Sequence, residues 1–452
     1  MKKFAPWFLF VLLVSLSAFA EDEKGVLPSS FLAGMHPRYT HIAPGGPYAK
    51  QKEAMTHASN LVGNFSSSTA FPHGVDTLIN FTGSFRAHGV YLDGTHRDLW
   101  QYSMVGRGPS FNGTTVINAP VIPVTISMLN ADGSPRFIVT NRKNCPNCKP
   151  GELGKKVRLI SRPEPFITRF LNSPVFGLSK YSSSPVRTQI VDAEQRAEFG
   201  SRAARNWHTL LLPSLKKGLT MALTDDSTYS FALNDNGSCC AFVLVDANIF
   251  NNELFPPTAP ADNSTVMGAA EVNGDITPKD IATFFFPNVY LYKNGNVNDC
   301  CTLGFHSFDE EPGDARNGNR TKFYVMNYSS WISPGLFGGG FEDVTAHSHE
   351  VAEIFNDPFI GFDNIHNITP FWLDSAGQCQ DLMEVGDVIE DLSNPSVPVK
   401  MGRFTYHPQT VAELPWFEFK SPSFALNDSY SYPNENALTA LSAPQALNCN
   451  GQ

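Results

Sequence analysis

Asp343-Val-Thr-Ala-His347-Ser-His349-Glu350-Val-Ala-Glu353-Ile-Phe-Asn-Asp-Pro358 is the stretch on which the reading of this chain turns. Its pattern predicts a helix from about Asp343 to Phe355, preceded by Gly338-Gly-Gly340 and stopped by Asn356-Asp357-Pro358. Val344, Val351, Ile354 and Phe355 give it an apolar face. Helical residues four apart lie on one side, so the His349 imidazole and the Glu353 carboxylate stand together and could hold a metal ion. Glu350 lies beside them, placed as general base toward a water acidified by that ion. This is the logic of the H-E-x-x-H zinc hydrolases, with Glu in place of the second His. The plainer alternative puts Glu350 and Glu353 on a solvated face, with His347 and His349 as surface or capping histidines.

A catalytic zinc takes three protein ligands and keeps a position open. Glu384, in Met383-Glu-Val-Gly-Asp387, is expected as the third ligand, with Asp374 in Trp372-Leu-Asp374 as the runner-up. Asp387 is expected to hold the His349 ring from behind. Zinc is the expected ion, with calcium or manganese as lesser alternatives because two carboxylates and one imidazole make a hard donor set. His306, His366, Tyr328 and His407 are weaker candidates for stabilising an oxyanion. The chain has no G-x-S-x-G elbow, P-loop or dinucleotide fingerprint, which argues against those chemistries.

The first twenty residues read as a secretory leader: Lys2 and Lys3, the apolar run Phe8 to Leu16, then the cleavage pattern Ala18-Phe19-Ala20. No later stretch approaches the ~20 apolar residues of a membrane span. The formal charge of −10, or −12 once Lys2 and Lys3 leave with the leader, argues against nucleic acid and anionic membrane as partners. With 35 Phe, 34 Gly and 33 Pro, short strands and turns are favoured over long helices.

Residues 21–75 read as loop-rich. Strand patterns follow at 77–82, 89–92, 115–117 and 121–128, and again at 229–233, 240–245, 289–292 and 322–326. A helix with an Asp cap is predicted from Asp192 to Ala204, and a short one from Asp280 to Phe286 after Pro278. Eight cysteines in an exported chain suggest disulfides. Cys145-Pro-Asn-Cys148 is expected as a disulfide or loop staple, and the pairs Cys239-Cys240 and Cys300-Cys301 are expected to cross-link with each other. Nine glycosylation sequons, at Asn64, Asn80, Asn112, Asn236, Asn263, Asn319, Asn327, Asn367 and Asn427, make a glycoprotein possible in a eukaryotic source.

The run His349-Glu-Val-Ala-Glu-Ile-Phe-Asn-Asp-Pro358, then Phe371-Trp-Leu-Asp374, then Glu384-Val-Gly-Asp387, resembles a largely uncharacterised family of secreted zincin-like proteins. Its hallmark is S-H-E-[LV]-A-E-x-x-[TN]-D-P, followed by W-x-D and E-x-G-D. Cys300 to His306, Phe323 to Tyr328, Asp192 to Phe199 and Trp207 to Leu211 are similar to other parts of that family. The resemblance spans roughly residues 115–420. Asn356 stands where Thr is more usual. The resemblance implies an α+β, zincin-like mixed sheet with an active-site helix and a metallopeptidase site. The expected organisation is a leader (1–20), a loop- and strand-rich region (21–114), a catalytic domain (115–435) and a polar tail (436–452). The expected function is a secreted zinc peptidase acting on extracellular protein or peptide, with Glu350 as base and His349, Glu353 and Glu384 on the metal. The alternatives are a non-catalytic binding or surface protein, with a structural metal or none, and a glycan-active protein.

Overall fold

The computed structural model describes residues 24–35, 37, 74–90, 96–184, 186–338, 340–374, 379–392 and 395–441. The expected leader, Asn64, most of the loop-rich start and the end of the tail with Cys449 lie outside these residues.

The fold is mixed α+β. Eleven strands build its two principal sheets: β1 (Thr114–Met128), β2 (Ile160–Ser161), β3 (His208–Leu215), β4 (Leu219–Leu223), β5 (Tyr229–Leu233), β6 (Cys239–Asp246), β7 (Ile281–Pro287), β8 (Val289–Tyr292), β9 (Cys300–Thr302), β10 (Gly304–Glu311) and β11 (Lys322–Trp331). The larger sheet runs β10-β11-β7-β1-β2, with β3 and β4 also paired to β1. Its middle is parallel, while β10 and β2 pair antiparallel at the two ends. The smaller sheet runs β9-β8-β6-β5. The helices used below are α1 (Glu164–Leu171), α2 (Ile190–Phe199), α3 (Ala247–Leu254), α4 (Val266–Val272) and α5 (Thr345–Asn356).

Strand β7 corrects the helix expected over Asp280 to Phe286. Its sequence, Ile-Ala-Thr-Phe-Phe-Phe-Pro, is buried at every position. A parallel strand covered on both faces reads as a continuous apolar run, which periodicity alone does not separate from a buried helix. Helix α2 also differs from expectation. It begins at Ile190, and Asp192 is not its cap but lies inside its first turn. There the Asp192 carboxylate accepts from the Thr209 amide at 2.7 Å and pairs with His208 at 2.8 Å, tying the helix to β3.

Side-chain alternation divides the core between the two faces of the large sheet. Phe285, Phe308, Phe323 and Val325 face one core, together with Val351, Ile354 and Phe355 of α5. Phe284, Phe286, Phe305, Met326 and Tyr328 face the other, with Phe250 of α3 and Met267 and Ala270 of α4. A hairpin of Asn80–Val90 and His96–Val105 adds Phe85, Trp100 and Met104 to the α5 side. Thus the hairpin part of the expected N-terminal region shares that core, while Val26 packs on the opposite one.

Cys145 and Cys148 are joined, as the loop-staple reading had it. The vicinal pairs do not cross-link: Cys239 bonds to Cys240, and Cys300 to Cys301. Strand β8 lies between β6 and β9. Two strand spacings place the pairs ~10 Å apart, beyond the ~4.4–6.8 Å that a disulfide spans between Cα atoms. Three sequons sit in the interior. Asn80, Asn327 and Asn367 are buried, and their amides donate to the carbonyls of Leu78, Ala282 and Ser103. A glycan does not fit there in the folded chain. Among the described residues no helix is long and apolar enough to cross a membrane.

Candidate metal centre

Helix α5 is Thr345–Asn356, and every one of its residues is buried. It therefore has no solvated face, and the plainer reading of Glu350 and Glu353 as surface carboxylates does not hold. Its apolar residues pack on the sheet, while its polar residues meet two other elements. Strand β10 brings His306 from one side, and the segment after Leu382 brings Glu384 and Asp387 from the other.

The distances define one connected cluster. His349 Nε2 lies 3.0 Å from Glu353 Oε1, as the four-residue spacing requires, and 3.3 Å from Asp387 Oδ1. His306 Nδ1 lies 3.4 Å from Glu353 Oε2 and 3.5 Å from Glu350 Oε2. Its Nε2 is 4.0 Å from Glu384 Oε2 and 3.2 Å from the Asp357 carbonyl. A carbonyl only accepts, so that hydrogen bond makes Nε2 the donor and leaves the Nδ1 lone pair for the cluster. Ligand atoms of His306, Glu353 and Glu384 fall within 4.8 Å of one another, as do those of His349, Glu350 and Glu353. Glu353 belongs to both groups. His306, His349, Glu350, Glu353 and Glu384 are each at most 1% exposed.

Two glycines make room for this arrangement. A Cβ on Gly386 would lie 2.5 Å from His349 Nδ1, and one on Gly304 would lie 2.6 Å from Glu350 Oε1. Close approach explains both glycines better than conformational freedom does. The Gly386 amide also donates to Glu353 Oε1 at 3.2 Å, and Gln409 holds the Gly386 carbonyl at 2.8 Å.

Burial and charge pull in opposite directions here. Burial disfavours charge on both imidazoles, yet both are held well above the usual histidine range. Glu384, Glu350 and Glu353 do this for His306, and Glu353 and Asp387 for His349. Burial pushes Glu350 up to about 7, against the opposing pull of the two imidazoles. Glu384 is raised well above the carboxylate range by burial and by neighbouring Glu353. Burial also works to raise Glu353, but His349 and the bonds from the two histidines bring it below the usual value.

A metal fits this donor set. Neither oxygen of Glu350 or of Glu384 accepts a hydrogen bond, although all four are buried. Buried carboxylate oxygens without donors are costly unless a proton or a cation meets them. Imidazole nitrogen with carboxylate oxygen is a donor set that zinc accepts readily and manganese tolerates.

Of the residues singled out in the sequence, His349, Glu350, Glu353 and Glu384 are brought together. Glu384 meets Glu353 and His306 rather than grouping with His349. Asp374 is not among the metal-capable groups of the described residues; its Oδ2 accepts from Gln380 at 2.9 Å. His306, expected only as an oxyanion aid, emerges as a candidate ligand. The signal was slight: His306 alternates with Phe305 and lies two before Phe308 in a strand, Gly304–Glu311, that is otherwise largely polar. Tyr328 points to the opposite face, where it donates to the Val289 carbonyl. His366 and His407 pair instead with Asp363 and Asp343, each at 2.9 Å. His347, two residues from His349, is a core residue. It packs on Phe170 and Phe176, and burial lowers it to about 3. Comparisons with protein-family models, with curated proteins and with solved structures found no match.

Proposed function

We propose that the chain is a secreted, metal-dependent hydrolase of zincin-like type, acting on peptide bonds, with zinc as its ion. The observation that carries this reading is the convergence of His306, His349, Glu353 and Glu384 from a strand, a helix and a following segment, with Glu350 beside them. His306, Glu353 and Glu384 would hold the ion, with His349 as the further imidazole donor. Asp387 Oδ1 lies 3.3 Å from the same Nε2 that meets Glu353, so it stands on the ligand side of the ring and does not hold it from behind as expected. When bound, the ion supplies Lewis acidity to a carbonyl and lowers the pKa of a water. The protein's own contribution centres on Glu350. A buried carboxyl with its pKa near 7 is matched to taking and returning a proton at neutral pH. Glu350 Oε2 lies 3.5 Å from His306 Nδ1, which places the base beside a nitrogen that would hold the ion. The leader-like start and the S-H-E-V-A-E motif support export and peptidase chemistry.

The test is metal analysis of the purified protein together with Glu350→Gln. The expected result is near-stoichiometric zinc in both proteins and hydrolysis of a peptide library by wild type alone. Wild type that carries no metal and keeps normal stability would sink the reading. A second reading, a metal that holds the fold without chemistry, is favoured by the burial of every candidate ligand. It predicts stoichiometric metal and no hydrolysis by either protein.

A further inference from the structure

Strand β10 carries a second group of ionisable side chains on its other face. Alternation sends His306 toward α5, and sends Phe305, Ser307, Asp309 and Glu311 toward α3 and α4. Glu271, at the end of α4, meets them there. Ligand oxygens of Glu271, Asp309 and Glu311 lie within 4.8 Å of one another. Asp309 is 4% exposed and Glu311 6%.

Three carboxylates this close repel one another unless something compensates them. Among the described residues no basic side chain forms an ion pair with any of the three. Lys322 stands directly across from Glu311 on β11, but its ammonium is engaged by Asp314 at 2.7 Å. Backbone amides satisfy part of the group: Glu310 donates to Asp309 and Ala261 to Glu311. Glu271 and Asp309 meet each other side chain to side chain, and no donor from outside the group reaches either oxygen of Glu271, Oδ2 of Asp309 or Oε1 of Glu311, all of them buried. The Asp309 and Glu311 oxygens are aimed into the group from side chains more than nine-tenths buried. Ser307, next along the same face and 1% exposed, also has a hydroxyl with no partner.

We infer that Glu271, Asp309 and Glu311 form a second metal site, one that takes calcium and pins α4 to the β10–β11 edge of the sheet. The donors are all oxygen and mostly anionic, the set that a hard divalent cation prefers and zinc does not. They come from a helix and a strand distant in sequence, so an ion there joins two elements that share one apolar cluster. This site shares no ligand with the cluster on the α5 face, and its existence does not depend on any hydrolase activity.

The experiment uses the full chain after chelator treatment. Calcium is titrated in by calorimetry, and the thermal midpoint is followed with and without calcium, with magnesium as a control. Wild type is expected to bind one calcium at this site and to unfold at higher temperature with it, because a ligand of the native state stabilises that state. Glu271→Gln and Asp309→Asn are each expected to lose the calcium heat and the calcium-dependent rise, while zinc content stays as in wild type. Wild type with no calcium heat and no shift would overturn the inference and leave a proton shared between Glu271 and Asp309 as the compensation. Calcium uptake that survives both substitutions would overturn it as well.

Discussion

The two faces of β10 present the same difficulty, buried carboxylates, and meet it with different chemistry. On the α5 face, Glu350, Glu353 and Glu384 are interleaved with His306 and His349. On the α4 face, Glu271, Asp309 and Glu311 have no imidazole among them. The first group can balance its charge internally, because it contains two imidazoles that the carboxylates around them raise well above the usual histidine range. The second has no base, and must import a proton or a cation. The presence of imidazole, more than the number of acids, therefore decides which ion each face would select and how each behaves when empty.

The sharpest way to break this comparison is Glu353→Gln, since Glu353 is shared by both groups on the α5 face. We expect loss of nearly all bound zinc and a stability cost of ~3–5 kcal/mol, the range for removing one partner of a buried charged pair. Metal analysis and denaturant titration read the two effects, and calcium binding on the other face should be untouched. If Glu350 is the base, Glu350→Gln should lower turnover ~10²–10⁴-fold with zinc retained. An equal fall in metal content would make Glu350 a ligand instead.

A smaller effect is expected from Gly386→Ala, whose new methyl meets the His349 ring and should cost ~1–3 kcal/mol as overpacking. Weaker zinc binding in this variant would show that the ring had been displaced; an unchanged melting curve would count against the tight packing described. His347→Phe tests the contrast between neighbouring histidines. His347 packs on Phe170 and Phe176 and has one polar contact, Nε2 to Thr283 Oγ1 at 3.3 Å, so the change should cost about 1.5 kcal/mol and leave zinc content intact.

Glu198, a buried acid away from both faces of β10, serves as a control; its Oε1 accepts from the Leu414 amide at 3.2 Å. Burial pushes Glu198 up to about 8, from an ordinary value of 4.5. A carboxyl raised in the folded state binds more protons folded than unfolded. Its contribution is therefore complete below about 4.5 and is lost as pH rises through about 8. Stability should decline across that window, and Glu198→Gln should flatten the slope. An unaltered slope in the variant would remove Glu198 as its source.

Much of the α5 face was legible in the sequence, because a four-residue spacing on a helix is a local property. His349 and Glu353 meet at 3.0 Å for that reason alone. Five of the eleven principal strands were legible too, from bounded apolar runs such as Tyr229–Leu233 and Val289–Tyr292. What could not be read locally depended on tertiary pairing. His306 lies forty-seven residues before Glu353 in the chain and reaches it only because β10 pairs with β11 beneath α5. Glu271, Asp309 and Glu311 were missed altogether, since no short motif joins a helix end to a distant strand. Helices α1, α3 and α4 are seven or eight residues long, too short for periodicity to announce them. The vicinal cysteines were misassigned because strand order, which puts β8 between the pairs, is not written in either pair.

The antiparallel pairing of β10 with β11 runs unbroken from Gly304–Ser329 to Glu311–Lys322. Because strand side chains alternate with a period of two, a slip of one residue would turn His306 away from α5 and send Ser307 into its place. The same slip would withdraw Asp309 and Glu311 from Glu271. Both candidate ion sites therefore depend on a single alignment of two strands, and an ion bound at either face would reward only the correctly aligned chain. In a folding chain, the two ions would act as proofreaders of one hairpin.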